Sequence, residues 1–221
     1  ISVSAGSFHT CGIRATGTLW CWDNTDEDWS SDTAAETEPV PVQVGSASDW
    51  TGVSAGGTHT CGIRTTGTLW CWGTNDDGQL GNDTTDGYFV PVQVGEAVTW
   101  TSVTAGTSHT CGIRAGTLWC WGTNADGQLG DDTAARQLAP IQIGGAQDWT
   151  SVSAGSFHTC GIRREGTLWC WGDSRYGQLG NDITGFSFDP LQVEESSDWA
   201  QADSGGYHTC GIRRAGTLWC W

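Results

Sequence analysis

The stretch HTCGIRATGTLWCW, residues 9–22, places one histidine, two cysteines and two tryptophans in fourteen positions. Near-copies begin at His59, His109, His158 and His208, so the spacings are 50, 50, 49 and 50 residues. A period this regular calls for repeat architecture before any other reading. One full unit, from Val53 to Trp100, is VSAGGTHTCGIRTTGTLWCWGTNDDGQLGNDTTDGYFVPVQVGEAVTW. It holds no run with helical periodicity and good helix formers. Short apolar runs (WTSVTAG, TCGIR, GTLWCW, PVQVG) alternate instead with Gly, Asn, Asp and Thr clusters, the punctuation of strands and turns. Four short strands in about 50 residues make one propeller blade.

The expected fold is all-β, built of propeller-type blades of four short antiparallel strands. Residues 1–221 form a single array, with full repeats near 1–50, 51–100, 101–149 and 150–199 and a partial one at 200–221. The central hairpin can be read by register. With a turn at Ala15-Thr16-Gly17, Arg14 falls opposite Thr18, Ile13 opposite Leu19, Gly12 opposite Trp20 and Cys11 opposite Cys21. In the third copy the turn shortens to Ala115-Gly116 and Cys111 still meets Cys120. Directly opposed residues lie about 4.5 to 5.5 Å apart at Cα, within reach of a disulfide. Five bridges within hairpins are therefore expected, Cys11–Cys21, Cys61–Cys71, Cys111–Cys120, Cys160–Cys170 and Cys210–Cys220. Closing so short a loop contributes roughly 2 to 3 kcal/mol by chain entropy. Gly12 is expected to leave room for the indole of Trp20 across the ladder. One face then carries Cys11, Ile13, Leu19 and Cys21, and the other Trp20 and Trp22. Blades stacked face to face need that two-sided burial.

Zinc held by His9, Cys11 and Cys21 is the competing reading, and it falls one ligand short of a structural site. No C-x-x-C supports thiol exchange, and no G-x-S-x-G, H-E-x-x-H or Walker loop is present. Five equivalent histidines make poor general bases, which act in a unique pocket; each is expected to hydrogen-bond a neighbouring loop. No carboxylate spacing singles out a glycosidase pair. The chain is not expected to be an enzyme. GTNDDGQLGND (residues 73–83), GTNADGQLGDD (122–132) and GDSRYGQLGND (172–182) faintly resemble a calcium loop. The ligand order is incomplete, and Ser174, Arg175 and Tyr176 spoil the third copy. Tight turns are expected here, with glycines at positive φ and Asn75 or Asn124 bonding nearby backbone. No cofactor is expected.

Composition narrows the partners. Nine arginines, no lysine and twenty-five acids give a net charge of −16 over 221 residues. That field repels phosphate backbones and anionic leaflets, so neither nucleic acid nor membrane insertion is expected. No apolar run approaches a membrane span. Ten cysteines, all inside the repeated motif, suit an exported, oxidised protein at the cell surface or outside it. The start at Ile1, without a leader, reads as a processed or excised segment.

The pattern W-x-x-V-x-A-G…H-T-C…G-x-L-W-C-W-G-x-N-x-x-G-Q-L-G…P-x-x-V resembles the regulator-of-chromosome-condensation repeat in a bacterial, secreted, cysteine-bearing form. The resemblance covers essentially the whole chain, and G-x-N-x-x-G-Q-L-G is its most specific part. It implies a propeller, seven-bladed in the family, with non-catalytic activities carried by surface loops. One branch of that family promotes nucleotide exchange on a small GTPase and binds chromatin, and another includes an inhibitor of β-lactamases. Two features depart from the pattern. The first repeat has DNTDEDWSSD (residues 23–32) in place of the GQLG element. Seven blades would need about 350 residues at this period, so either the sequence is a piece of a longer chain or the array stays open. An open array would stack head to tail with copies of itself into a fibre.

Between repeats, the variable segment precedes the proline, as SDTAAETEPV, NDTTDGYFV, DDTAARQLA and NDITGFSFD. Tyr88, Phe89, Arg136, Leu138, Phe186 and Phe188 lie there, and Trp29 stands in the acidic first loop. These are the candidate anchors for a protein partner; the alternative is that they tuck against the blade edge. The expected role is extracellular building by self-assembly, with binding of another protein, as an inhibitor or adhesin does, as the alternative. Asn82-Asp83-Thr84 is a glycosylation sequon.

Overall fold

The computed structural model describes residues 1–23 and 40–221. It is an all-β propeller of five blades, without helix among the described residues. The first blade comprises β1 (Ser2–Ala5), β2 (His9–Ile13), β3 (Leu19–Asp23) and β4 (Val42–Gln43). The second comprises β5 (Trp50–Ala55), β6 (His59–Arg64), β7 (Leu69–Gly73) and β8 (Tyr88–Gln93). The third is β9 (Trp100–Ala105), β10 (His109–Arg114), β11 (Thr117–Gly122) and β12 (Gln137–Gln142). The fourth is β13 (Trp149–Ala154), β14 (His158–Arg163), β15 (Leu168–Asp173) and β16 (Phe186–Gln192). The fifth holds β17 (Trp199–Ser204), β18 (Thr209–Arg213) and β19 (Leu218–Cys220). Each blade is an antiparallel meander. First strands pack on the first strands of the next blade, which puts them nearest the propeller axis.

The hairpin register is the one read from the sequence, with Cys11 opposite Cys21, Gly12 opposite Trp20, and Cys111 opposite Cys120 despite the shorter turn. All five expected disulfides are formed and no described cysteine is free. The room above the glycine is filled differently from expectation. A Cβ on Gly62 would lie 2.8 Å from the Trp50 ring, and one on Gly161 2.7 Å from Trp149. In these blades the indole comes from the blade's own first strand, because a register shift between Trp50 and Gly52 turns that ring over the glycine, whereas at Gly12 the ring nearby is Trp22, 3.8 Å from where a Cβ would sit. Trp70 lies half-buried against the junction with the first blade, donating Nε1 to Thr68 Oγ1 at 3.0 Å.

The core lies between blades. Cys61, Ile63, Leu69 and Cys71 of the second blade cluster with Trp100 and Trp121 of the third, and the other junctions repeat the arrangement. The disulfide face of one blade thus receives the tryptophan face of the next, which is why both faces of the hairpin are apolar. At about 25 cal/mol per Å² of apolar surface buried, the indoles dominate each junction.

Candidate functional site

Two polar clamps hold all four junctions, and a third holds the three junctions that follow a GQLG loop. His59 Nε2 lies 2.8 Å from Thr110 Oγ1 of the next blade, His109 2.9 Å from Thr159, His158 2.8 Å from Thr209, and His9 2.7 Å from Thr60. The histidine partner is therefore a threonine on the neighbouring blade's strand, and not a loop as expected. Burial holds these imidazoles neutral. Desolvation lowers His59 and His109 to about 3, helped by their histidine neighbours, and lowers His9 and His158 to about 4. Near the axis, Ser4 Oγ accepts the Ala55 N–H at 2.9 Å, and Ser54, Thr104 and Ser153 repeat the contact.

The G-x-N-x-x-G-Q-L-G loop is the third clamp. Gln79 O accepts from both Thr110 Oγ1 (2.8 Å) and Trp121 Nε1 (2.9 Å) of the next blade, while Leu80 fills the junction core. Gly81, at φ 70°, lets the loop approach the indole so closely that a Cβ would sit 2.6 Å from Trp121 Nε1. Asn75 closes the turn, donating Nδ2 to Thr84 O and Asp86 O and accepting the Leu80 N–H, each at 2.9 Å. Glycines at positive φ and an asparagine bonded to nearby backbone are what the sequence led one to expect. The amide nitrogen of Asn75 points donors into the middle of the loop, where a cation would need oxygens. No group of three or more His, Cys, Asp or Glu converges among the described residues.

The variable residues are on the outer strands. Tyr88 and Phe89 lie in β8, Leu138 in β12, Phe186 and Phe188 in β16, and Arg136 just before β12. In β8, Cys71 pairs with Val92 and Gly73 with Tyr88, so the residues around Pro91 bow out of the ladder. The structure separates these residues among three blades and gives them different surroundings. Leu138 and Phe188 tuck under the preceding blade's loop, whose Asp83 and Asp132 N–H groups bond their carbonyls at 2.9 and 3.0 Å. Arg136 reaches back to Asp76 O at 3.0 Å, and Tyr88 packs against the junction core. Phe89 is 70% exposed and Phe186 43%. Trp29 lies outside the described residues.

A second aromatic group was not singled out from the sequence. Phe157, Tyr176 and Tyr207 meet at the loop end of the fourth and fifth blades, with ring centroids 5.4 Å (Phe157–Tyr207) and 5.3 Å (Tyr176–Tyr207) apart. Tyr176 is 71% exposed and Tyr207 53%. Arg175 beside them donates Nε and Nη2 to Asp173, each at 3.0 Å. Burial alone would raise the Asp173 carboxyl, but these hydrogen bonds outweigh it and hold it below the usual range. The signal that would have found the group is the residue before each histidine, which reads Phe8, Thr58, Ser108, Phe157 and Tyr207.

A loop that clamps two blades should leave a sequence signature running from one blade into the next. The repeat described as Regulator of chromosome condensation (RCC1) repeat matches residues 66–113, 115–162 and 165–212, each running from one blade's third strand into the next blade's second, and a related description matches 1–22, 50–79 and 149–178. The chain belongs to the RCC1 repeat family. Human WBSCR16 superposes with a TM-score of 0.85 at 21% identity, over 100% of this chain and 61% of that one. Prp20p from Saccharomyces cerevisiae, whose structure was described with its binding to Gsp1p and histones, gives 0.84 at 18% identity over 96% and 56%. The ectodomain of the Physcomitrella patens receptor kinase CR4 gives 0.59 at 22%, over 100% and 53%. At these identities the likeness is one of fold. The chain spans 53% to 61% of the length of these three neighbours. No curated protein matches the sequence.

Proposed function

We propose that this RCC1-repeat chain is a non-enzymatic, extracellular protein-binding propeller that engages its partner through the variable rim and loop-end residues. One observation carries the reading: the clamps recur from blade to blade, while large exposed side chains (Phe89, Phe186, Tyr176, Tyr207) occupy positions that no clamp uses. Rigid frames presenting variable aromatics are built for recognition. Five disulfides support folding in an oxidising compartment, and the charge of −16 disfavours nucleic acid. The GQLG loops are occupied in holding blades together, which supports a chain without a cofactor. The test is capture of partners on the immobilised chain from the extracellular fraction of its source, then titration of the purified partner. Phe89→Ala with Phe186→Ala, or Tyr176→Ala with Tyr207→Ala, should cost at least about tenfold in affinity at unchanged Tm. Equal affinity in both pairs would refute the reading.

A second reading, head-to-tail self-assembly, draws on one further observation. The fifth blade's disulfide face carries Leu218 at 66% exposure and a cavity of about 470 Å³ lined by Gln201, Asp203, Cys210 and Ile212. It has the make-up of the faces that receive tryptophans elsewhere, and it fits another blade, of the same polypeptide or of a second copy. Light scattering decides: fibres or multiples of the chain mass that Leu218→Asp abolishes favour assembly, and a single concentration-independent monomer excludes it.

A further inference from the structure

We propose that the Phe157, Tyr176 and Tyr207 cluster takes a positively charged segment of another protein, seating an arginine or lysine side chain against the tyrosine rings. The proposal rests on the protein-binding reading above and names the chemistry of the partner.

The fold has no use for these rings. The positions of Phe157 and Tyr207 are Thr58 and Ser108 in the second and third blades, and that of Tyr176 is Asp77 and Asp126. The junctions at those blades are clamped all the same. Three adjacent rings with two of them more than half exposed are the composition of a binding hot spot.

The platform is already ordered. Ser156 N–H bonds Gly205 O at 3.2 Å, and Asp173 N–H bonds Phe157 O at 2.9 Å. Tyr176 N–H bonds Gln178 Oε1 at 2.9 Å, and the His158–Thr209 clamp lies at the foot of the same turns. Little backbone freedom remains to be lost on binding.

Charge selects the occupant. The cation beside the cluster, Arg175, is paired with Asp173 at 3.0 Å and lies 4.0 Å from Asp126, so these three groups sum to −1. Its guanidinium sits 5.3 Å from the Phe186 ring centroid. The whole chain carries −16. Ring faces attract a cation, and the surrounding field steers one in. Around the cluster that field favours a cationic segment over a second copy of this acidic chain.

The experiment is calorimetric titration of the full chain with an arginine-bearing peptide and with its glutamate-for-arginine counterpart. Saturable binding of the arginine peptide alone is expected. Tyr176→Ala and Tyr207→Ala should each weaken it about tenfold, while Tyr176→Phe, which keeps the ring, and Phe8→Ala, the same position on the first blade, should leave it unchanged. No saturable binding to the native chain would overturn the proposal. So would equal affinity in both tyrosine-to-alanine variants at native Tm, since the attraction would then be diffuse charge. In either case a captured partner that depends on Phe89 and Phe186 would keep the protein-binding reading alive; with neither dependence, both readings fall.

Discussion

Thr110 Oγ1 has one proton, and it goes to the carbonyl of Gln79 at 2.8 Å. The hydroxyl must therefore accept from His59, which fixes that imidazole as the Nε2–H tautomer with a bare Nδ1. Thr159 and Thr209 impose the same tautomer on His109 and His158. Thr159→Val keeps the shape and removes the acceptor, stranding a buried N–H at a cost of about 1 to 3 kcal/mol, readable as a fall in urea midpoint at constant slope. Ser174 stands where Asn75 and Asn124 close their loops, and Ser174 Oγ and Asn181 Nδ2 are buried there without hydrogen-bond partners among the described residues. Ser174→Asn should regain the lost loop bonds and stabilise by about 1 kcal/mol; an unchanged or lower Tm would show that the fourth loop has its own closure. The identity of the histidine partner was illegible, since it lies 50 or 51 residues away and a one-blade reading contains only one end of the bond.

Among elements, the hairpin was fully legible and the outer strand was not. Register in a hairpin follows from the turn and from period-two alternation, so the pairing of Cys61 with Cys71 or Gly62 with Trp70 could be counted along the chain. The outer strand begins after a loop of variable length and bows around Pro91, so Tyr88 and Phe89 look like loop residues from sequence. The GQLG element makes a sharp element-scale test. Gly81→Ala forces a left-handed alanine at φ 70° against the Trp121 indole and should cost about 2 to 4 kcal/mol. Gly95→Ala, at φ 58° with nothing within 4 Å, should cost only about 1 kcal/mol. Similar losses at both sites would mean that the indole gives way. Reduction under native conditions probes the hairpins themselves. Cys220 is exposed, whereas Cys61, Cys71, Cys111, Cys120, Cys160 and Cys170 show 0% accessibility. Alkylation should trap Cys210–Cys220 first, and the three buried bridges only on global unfolding.

For the molecule as a whole, four buried neutral histidines make stability acid-sensitive. Their folded pKa values, about 3 to 4, lie below the ordinary 6.5 of an unfolded chain. Below pH 6.5 the unfolded state binds protons that the folded state refuses, so stability is full above that pH and falls towards about pH 4. His158 feels Asp173 in the opposite sense and His208 in the same one, without reversing the direction. Four such groups set a limiting slope of about 5 kcal/mol per pH unit. Scanning calorimetry should record a steep fall in Tm between pH 6.5 and 4.5, before most carboxylates titrate; a flat profile would mean that the imidazoles reach water.

By itself the sequence determined the repeat, the strand class, the hairpin register, the disulfide pairs and the family, because each depends on spacings within about fifty residues. Tertiary structure alone decided what touches what between blades. It set the tryptophans of one blade on the disulfide face of the last, tied each histidine to the next blade's threonine, and gathered Phe157, Tyr176 and Tyr207 into one patch. Those contacts join residues that the chain keeps far apart and only the stacking of blades brings within reach.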